Sequence, residues 1–165
     1  MFGGLFGKPK ILGKALLIAG DTRVHQGLAE SWGWLIGDKK PLHFSACGDV
    51  FLTDAAQAVE WLETTTGKLT RLVDSVSAFE ELLKQRSFCD GVLQAPLVEQ
   101  LRAQLGPLPP VRCYSYKMMP VLGGSEGLEN RAILPLYEHV GLNGDIRLQV
   151  KDLPPGATIQ IKVVD

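Results

Sequence analysis

The chain is poor in the residues that carry chemistry. Its 165 residues hold three cysteines and three histidines. Cys47, Cys89 and Cys113 are odd in number, far apart and without a Cys-x-x-Cys, which argues against a disulfide framework or a closed zinc site. They read as buried apolar thiols in a reducing compartment. His25, His43 and His139 have no histidine or cysteine at ligand spacing, so no metal and no cofactor is expected. The formal net charge is −1, the pI is about 6.3, and the longest basic run is Lys39-Lys40. Nucleic-acid binding lacks its clustered basic surface. Long apolar runs are missing too. In the N-terminal region the longest, Ala15–Ala19, is too short for a signal-peptide core, and nothing approaches a membrane span. A cytoplasmic protein without a membrane partner is the expectation.

What is present is a β-meander. Val50–Leu52, Ala58–Leu62 and Lys68–Val73 are strand-length, β-prone runs, separated by turn chemistry at Asp54–Gln57 and Thr65–Gly67. Upstream, Val24, Leu28 and Trp32 predict a helix over Thr22–Trp32, capped by Asp21 or Thr22 and ended by Gly33. Trp34–Ile36 then reads as a strand, with another at Leu42–Ala46. Ser77 to Glu80 has the form of a capping box for an amphipathic helix ending near Arg86. Pro96–Leu105 predicts another helix, stopped by Gly106-Pro107. Residues 111–117 and 131–137 read as strands around a glycine loop at 123–127. Leu142, Ile146, Val150 and Leu153 suggest a final helix, and residues 157–163 a final strand. Strands and helices are segregated, which favours a single α+β domain: a mainly antiparallel twisted sheet with helices packed on it.

Catalytic signatures are wanting. Gly123-Gly-Ser-Glu-Gly lacks the Lys-Ser/Thr of a phosphate loop, and no Gly-x-Ser-x-Gly elbow occurs. Asp49, Asp54, Glu60 and Glu63 cluster in sequence, but paired-carboxylate catalysis needs both groups fixed about a cleft. Glu60 is expected to face solvent. A hydrolase built on His43, Cys47 and an acid is the alternative, and an adaptor offering a sheet edge for strand addition is a third reading.

Several segments carry a resemblance. Ser31-Trp-Gly-Trp-Leu, Gly48-Asp-Val-Phe-Leu, Val59-Glu-Trp-Leu-Glu-Thr-Thr-Thr-Gly-Lys-Leu, Leu105-Gly-Pro with Cys113-Tyr-Ser-Tyr-Lys, Leu122-Gly-Gly and Val150-Lys-Asp-Leu-Pro-Pro-Gly follow one another in this order. Together they resemble the C-terminal domain of Tdi-type immunity proteins of type VI secretion systems. The resemblance covers about Gly27–Val164, which implies an immunity-like domain over 27–165 preceded by an arm or short helix over 1–26. The Asp54-Ala-Ala-Gln turn departs from the glycine-containing turn expected there. The family implies a cytoplasmic antidote that binds one secreted toxin, a NAD-hydrolysing or DNA-degrading effector, one-to-one and blocks its active site, with no catalysis of its own. Toxins acting on such substrates tend towards basic clefts, so acidic contacts are expected at Asp38, Glu60, Glu63, Glu126 and Glu129. Trp34 and Tyr116 are the expected aromatic anchors.

Overall fold

A computed structural model describes residues 12–158. A short 3-10 helix at Leu12–Leu16 runs into β1 (Leu17–Ile18), so this part of the expected arm joins the sheet. Helix α1 (Thr22–Ile36) begins as its cap predicts: Val24 N donates to Asp21 Oδ1 at 2.9 Å. It does not end at Gly33. The buried stripe Val24, Leu28, Trp32 continues one turn to Ile36, and Gly37, at φ 63°, terminates the helix. Trp34 is therefore helical, and the expected strand over Trp34–Ile36 is corrected: burying Ile36 against the core keeps the last turn wound.

The meander forms as read. β2 (Lys40–Ser45), β3 (Val50–Thr53), β4 (Val59–Glu63) and β5 (Lys68–Val73) join β1 in a five-stranded antiparallel sheet of order β1-β2-β3-β4-β5. The central strand β3 is apolar at successive positions because both faces are covered. Val50 and Leu52 pack with Phe44, Leu62 and the α1 stripe; Phe51, from the opposite face, packs with Val59, Phe79, Leu83 and Phe88. Each such fully buried side chain stabilises the fold by about 1.5–3 kcal/mol.

The second layer comes from α2 (Val76–Leu82) and α3 (Arg86–Gly91). Helix α2 is capped by Ser75, whose Oγ accepts from Ala78 N at 3.0 Å; the expected Ser77 box lies inside the helix. Helix α3 is a separate short turn with no side-chain cap, which no local signal announces. Helix α4 (Ala95–Leu105) packs Val98 and Leu101 against Tyr114 of the small sheet, formed by β6 (Arg112–Tyr116) and β7 (Arg131–Pro135). Tyr114 N donates to Ala46 O at 2.8 Å, tying this hairpin to the end of β2.

Helix α5 (Leu136–Val150) follows β7 directly and packs along α1. Its buried positions (Leu136, His139, Val140, Asn143, Gly144, Ile146, Val150) share one face, an arc of roughly 160° at 3.6 residues per turn. Trp32 Nε1 donates to Val140 O at 2.9 Å, and Gly144 lets the indole approach the helix: a β-carbon there would sit 2.8 Å from Trp32 Nε1. The expected strand over 157–163 lies mostly outside the described residues. No described helix is long and apolar enough to cross a membrane.

Candidate functional site

The end of β6, the turn through residues 117–122 that follows it, and α5 enclose an open cleft of about 580 Å³. Its apolar lining includes Met119, Leu122, Leu134 and Ile146. Met119, Ile146 and Val150 form a small core cluster of their own, against which Val121 and Leu122 pack. Met118 and Leu142 also line the cleft and are each 54% exposed. Lys117, Glu138 and Asp145 complete the charged part of its lining. A second cleft of about 490 Å³, between the 15–19 segment and the Pro107–Pro110 connector, has Arg102 as the charged residue of its lining.

The 123–130 loop is fastened next to Met118. Asn130 Nδ2 donates to Met118 O at 2.7 Å, and Met118 N donates back to Asn130 Oδ1 at 3.1 Å. Gly124 permits this approach, since a β-carbon would lie 2.7 Å from the Met118 carbonyl carbon and 2.9 Å from Asn130 Nδ2. The Leu122-Gly-Gly motif thus has a packing reason.

Three polar groups converge on the cleft from the core: Ser115, His139 and Asn143. His139 Nδ1 lies 2.7 Å from Ser115 Oγ, and Nε2 lies 2.8 Å from Thr64 Oγ1. Asn143 Nδ2 donates to the His139 carbonyl at 2.6 Å, which fixes the amide, and approaches Nδ1 at 3.4 Å. Nδ1 therefore faces donors and is the unprotonated nitrogen, while Nε2–H donates to Thr64 Oγ1; this tautomer is assigned from the network. Thr64 Oγ1 lies 3.0 Å from Gly48 O and 3.3 Å from Asp49 Oδ1, and Thr64 N donates to the same carboxylate oxygen at 3.1 Å. Trp61 Nε1 donates to Asp49 Oδ2 at 3.1 Å. The result is a buried relay from β6 through α5 and the β4–β5 turn to the connection between β2 and β3.

Burial sets the titration of its members. It lowers His139 to about 4, the nearby Arg131 charge adding to the effect. It raises Asp49 to about 6 against the opposing hydrogen bonds from Trp61 and Thr64. Ser115 and His139 have the contact of a nucleophile and base, but among the described residues no carboxylate is hydrogen-bonded to the imidazole ring. A strongly depressed pKa makes it a poor general base near neutrality. The relay is suited to holding three elements together.

The expected His43–Cys47 arrangement does not assemble. His43 is half-buried, stacks on Phe79 with ring centroids 6.1 Å apart, and feels Glu80 and Lys14. Cys47 is packed with Val98, Leu101 and Tyr114, and burial pushes its thiol up to about 12. Cys89 and Cys113 are buried as well. Among the described residues no cluster of three His, Cys, Asp or Glu side chains could hold a metal.

The seven residues expected at an interface fall into separate groups. Trp34 is 38% exposed near the end of α1, stacked on Trp32, with its Nε1 donating to Ser31 O at 2.9 Å. Asp38 is exposed in the turn that follows. Glu60 is a correction: it does not point freely into solvent. Its Oε2 lies 3.2 Å from Lys39 Nζ and is shielded, at an angle too poor for a hydrogen bond. Glu63 faces Lys68 across the β4–β5 pair.

Tyr116, Glu126 and Glu129 lie at the small sheet and its loop. Arg131 sits with its guanidinium carbon 3.7 Å from the centre of the Tyr116 ring, and its Nη2 donates to Tyr116 Oη at 2.7 Å. Arg131 is buried, and the aromatic face takes the place of a carboxylate. Glu126 and Glu129 are exposed, and Glu129 accepts from Ser125 Oγ at 2.5 Å. Of the seven residues, Tyr116 lines the cleft, with Glu126 close enough to be felt at its phenol.

Residues 73–147 match the family described as T6SS immunity protein Tdi1, C-terminal. The resemblance read from the sequence and this match point to the same family. The Tdi1-type segment starts at the last residue of β5 and ends within α5, so it contains every residue that lines the cleft. The fold is also similar to the crystal structure of Atu4351 from Agrobacterium tumefaciens, with a TM-score of 0.61, 17% identity and 78% of this chain covered. The matched region spans 65% of that protein's chain. No curated protein matches the chain.

Proposed function

We propose that this protein is an immunity protein of a type VI secretion system, which binds one cognate toxin tightly and neutralises it without chemistry of its own. The observation that carries this reading is the Tdi1-type match over 73–147, a segment that also holds the open apolar cleft. Binding requires surface that can be desolvated, and the cleft supplies it between rigid elements. The poor basicity of His139 and the separation of His43 from Cys47 support inhibition over turnover.

Inhibition works by occluding the toxin's active site. The toxin is an effector that consumes NAD or degrades DNA, and in either case its substrate carries phosphates. An acidic inhibitor surface complements a phosphate-binding cleft and speeds association. A one-to-one complex should bury on the order of 1,600 Å² or more. Since toxin made inside the cell is met there, the antidote acts in the cytoplasm.

Co-expression with the toxin encoded beside it tests the reading. The expected result is survival of the host and recovery of a stoichiometric complex. Death of the host with no complex recovered would overturn it.

A further inference from the structure

The exposed apolar residues of this protein are not spread evenly. Met118 and Leu142, each 54% exposed, are the two most exposed large hydrophobics among the described residues, and both line the cleft beside α5. Such exposure costs solubility unless something covers it. At about 580 Å³ the cleft has room for a few side chains.

On its α5 side the exposed charges of the lining are acidic. Glu138 and Asp145 are exposed on α5, seven residues apart and so on one side of the helix, with Leu142 between them. Glu126 and Glu129 stand on the adjoining loop. None of these four acids takes part in an ion pair among the described residues. Of the cations nearby, Lys117 keeps its charge but is held towards the loop, its Nζ donating to Glu129 O at 2.9 Å, and Arg23 lies over the Tyr137 ring at 3.4 Å. An apolar cleft bordered by unpaired carboxylates selects a ligand that is apolar at its centre and basic at its edges.

We infer that this cleft is where the toxin docks, through a basic segment that seats one long apolar side chain between Met118 and Leu142. The inference rests on the immunity reading and adds to it the surface and the chemistry of its occupant. Hydrophobic anchoring sets the lifetime of the complex, and the Glu138 and Asp145 side sets its rate of formation.

The test uses the whole protein and a catalytically inactive form of the neighbouring toxin, with affinity and association rate measured on the purified pair. Leu142→Asp and Met118→Asp should each weaken binding at least about 30-fold, the range of an interface hot spot. The double variant Glu138→Lys, Asp145→Lys should slow association about 10-fold at low salt and flatten its salt dependence. Leu148→Asp is the control, an exposed leucine of α5 that does not line the cleft, and should bind within about two-fold of wild type. All the substituted positions are exposed, and a urea midpoint close to wild type verifies each fold. Wild-type binding retained by all the cleft variants would overturn the docking site and leave the immunity reading standing. No binding and no protection by wild type would overturn the immunity reading itself. A concentration-dependent dimer of the free protein, abolished by Leu142→Asp, would also overturn the inference, by giving the cleft to a second copy of the chain.

Discussion

Gly48→Ala should damage the protein far more than the gain of one methyl group suggests. Gly48 has φ 88°, where an L-residue is strained by about 1–2 kcal/mol. A β-carbon there would also collide with the His139 ring, with Cε1 only 2.9 Å away and Nε2 and Cδ2 closer still. The ring cannot retreat without breaking its contacts to Thr64 Oγ1 and Ser115 Oγ, and every one of these groups is buried. A buried polar group left without its partner costs about 1–3 kcal/mol. Strain and the two lost bonds together come to about 3–8 kcal/mol, against a total stability of about 5–15 kcal/mol for an ordinary domain. For a chain of this size that is a fall in Tm of about 6–32 °C. Gly33→Ala gives the contrast. Gly33 lies within α1, and a β-carbon added there would meet nothing within 4 Å, so alanine should stabilise by about 0.4–1 kcal/mol. Urea denaturation of the three proteins, followed by tryptophan fluorescence and extrapolated linearly, measures both effects. A Gly48→Ala protein within about 1 kcal/mol of wild type would refute the claim that the His139 relay is rigidly packed.

Other perturbations reach the same interior. Asp49 binds its proton more tightly folded than unfolded, so its contribution falls as pH rises from about 4 to 6, whereas His139 binds its proton less tightly folded, so its contribution rises from about 4 to 6.5. In wild type the two slopes oppose each other; Asp49→Asn should expose the His139 slope, up to about one proton per molecule, and stability of that variant unchanged between pH 4 and 6.5 would contradict the assignment. Trp32→Phe removes the donor to Val140 O and opens space beside Gly144; a loss of about 2–4 kcal/mol in urea denaturation is expected, and a loss below about 1 kcal/mol would mean that this contact does not hold α5 to α1. The three thiols are buried, with Cys47 raised to about 12, so an aromatic disulfide reagent should label none of them in native protein within the time it labels all three in urea.

The meander was legible because each part of it is local. Strand-length apolar runs and the turns between them lie within a few residues of one another, and two covered faces make β3 apolar at successive positions. Helix ends were less so. Gly33 reads as a stop, yet the 24-28-32 spacing points on to Ile36, and burial of that fourth residue outweighs one glycine's propensity of about 1 kcal/mol. Ser75 and Ser77 both have capping chemistry, and which of them caps is decided by where Phe79 must point to reach the core.

His139 was illegible as anything but an isolated histidine, because its partners Thr64 and Ser115 are 75 and 24 residues away. The same distance hides the cleft, whose walls come from β6, a turn and α5. One signal toward it did exist and pointed the wrong way. Leu142, Ile146, Val150 and Leu153 fall at helical spacing and read as one buried stripe, but only Ile146 and Val150 are buried, while Leu142 and Leu153 are exposed. The buried face of α5 covers less than half of its circumference and Leu142 lies just beyond its edge, where helical spacing from Ile146 and Val150 does not reveal that it lacks a neighbour. A leucine that fits the pattern of a core but has no core over it marks surface another molecule can cover. At Leu142 that surface adjoins the cleft, where Glu138 and Asp145 flank it without an ion pair among the described residues.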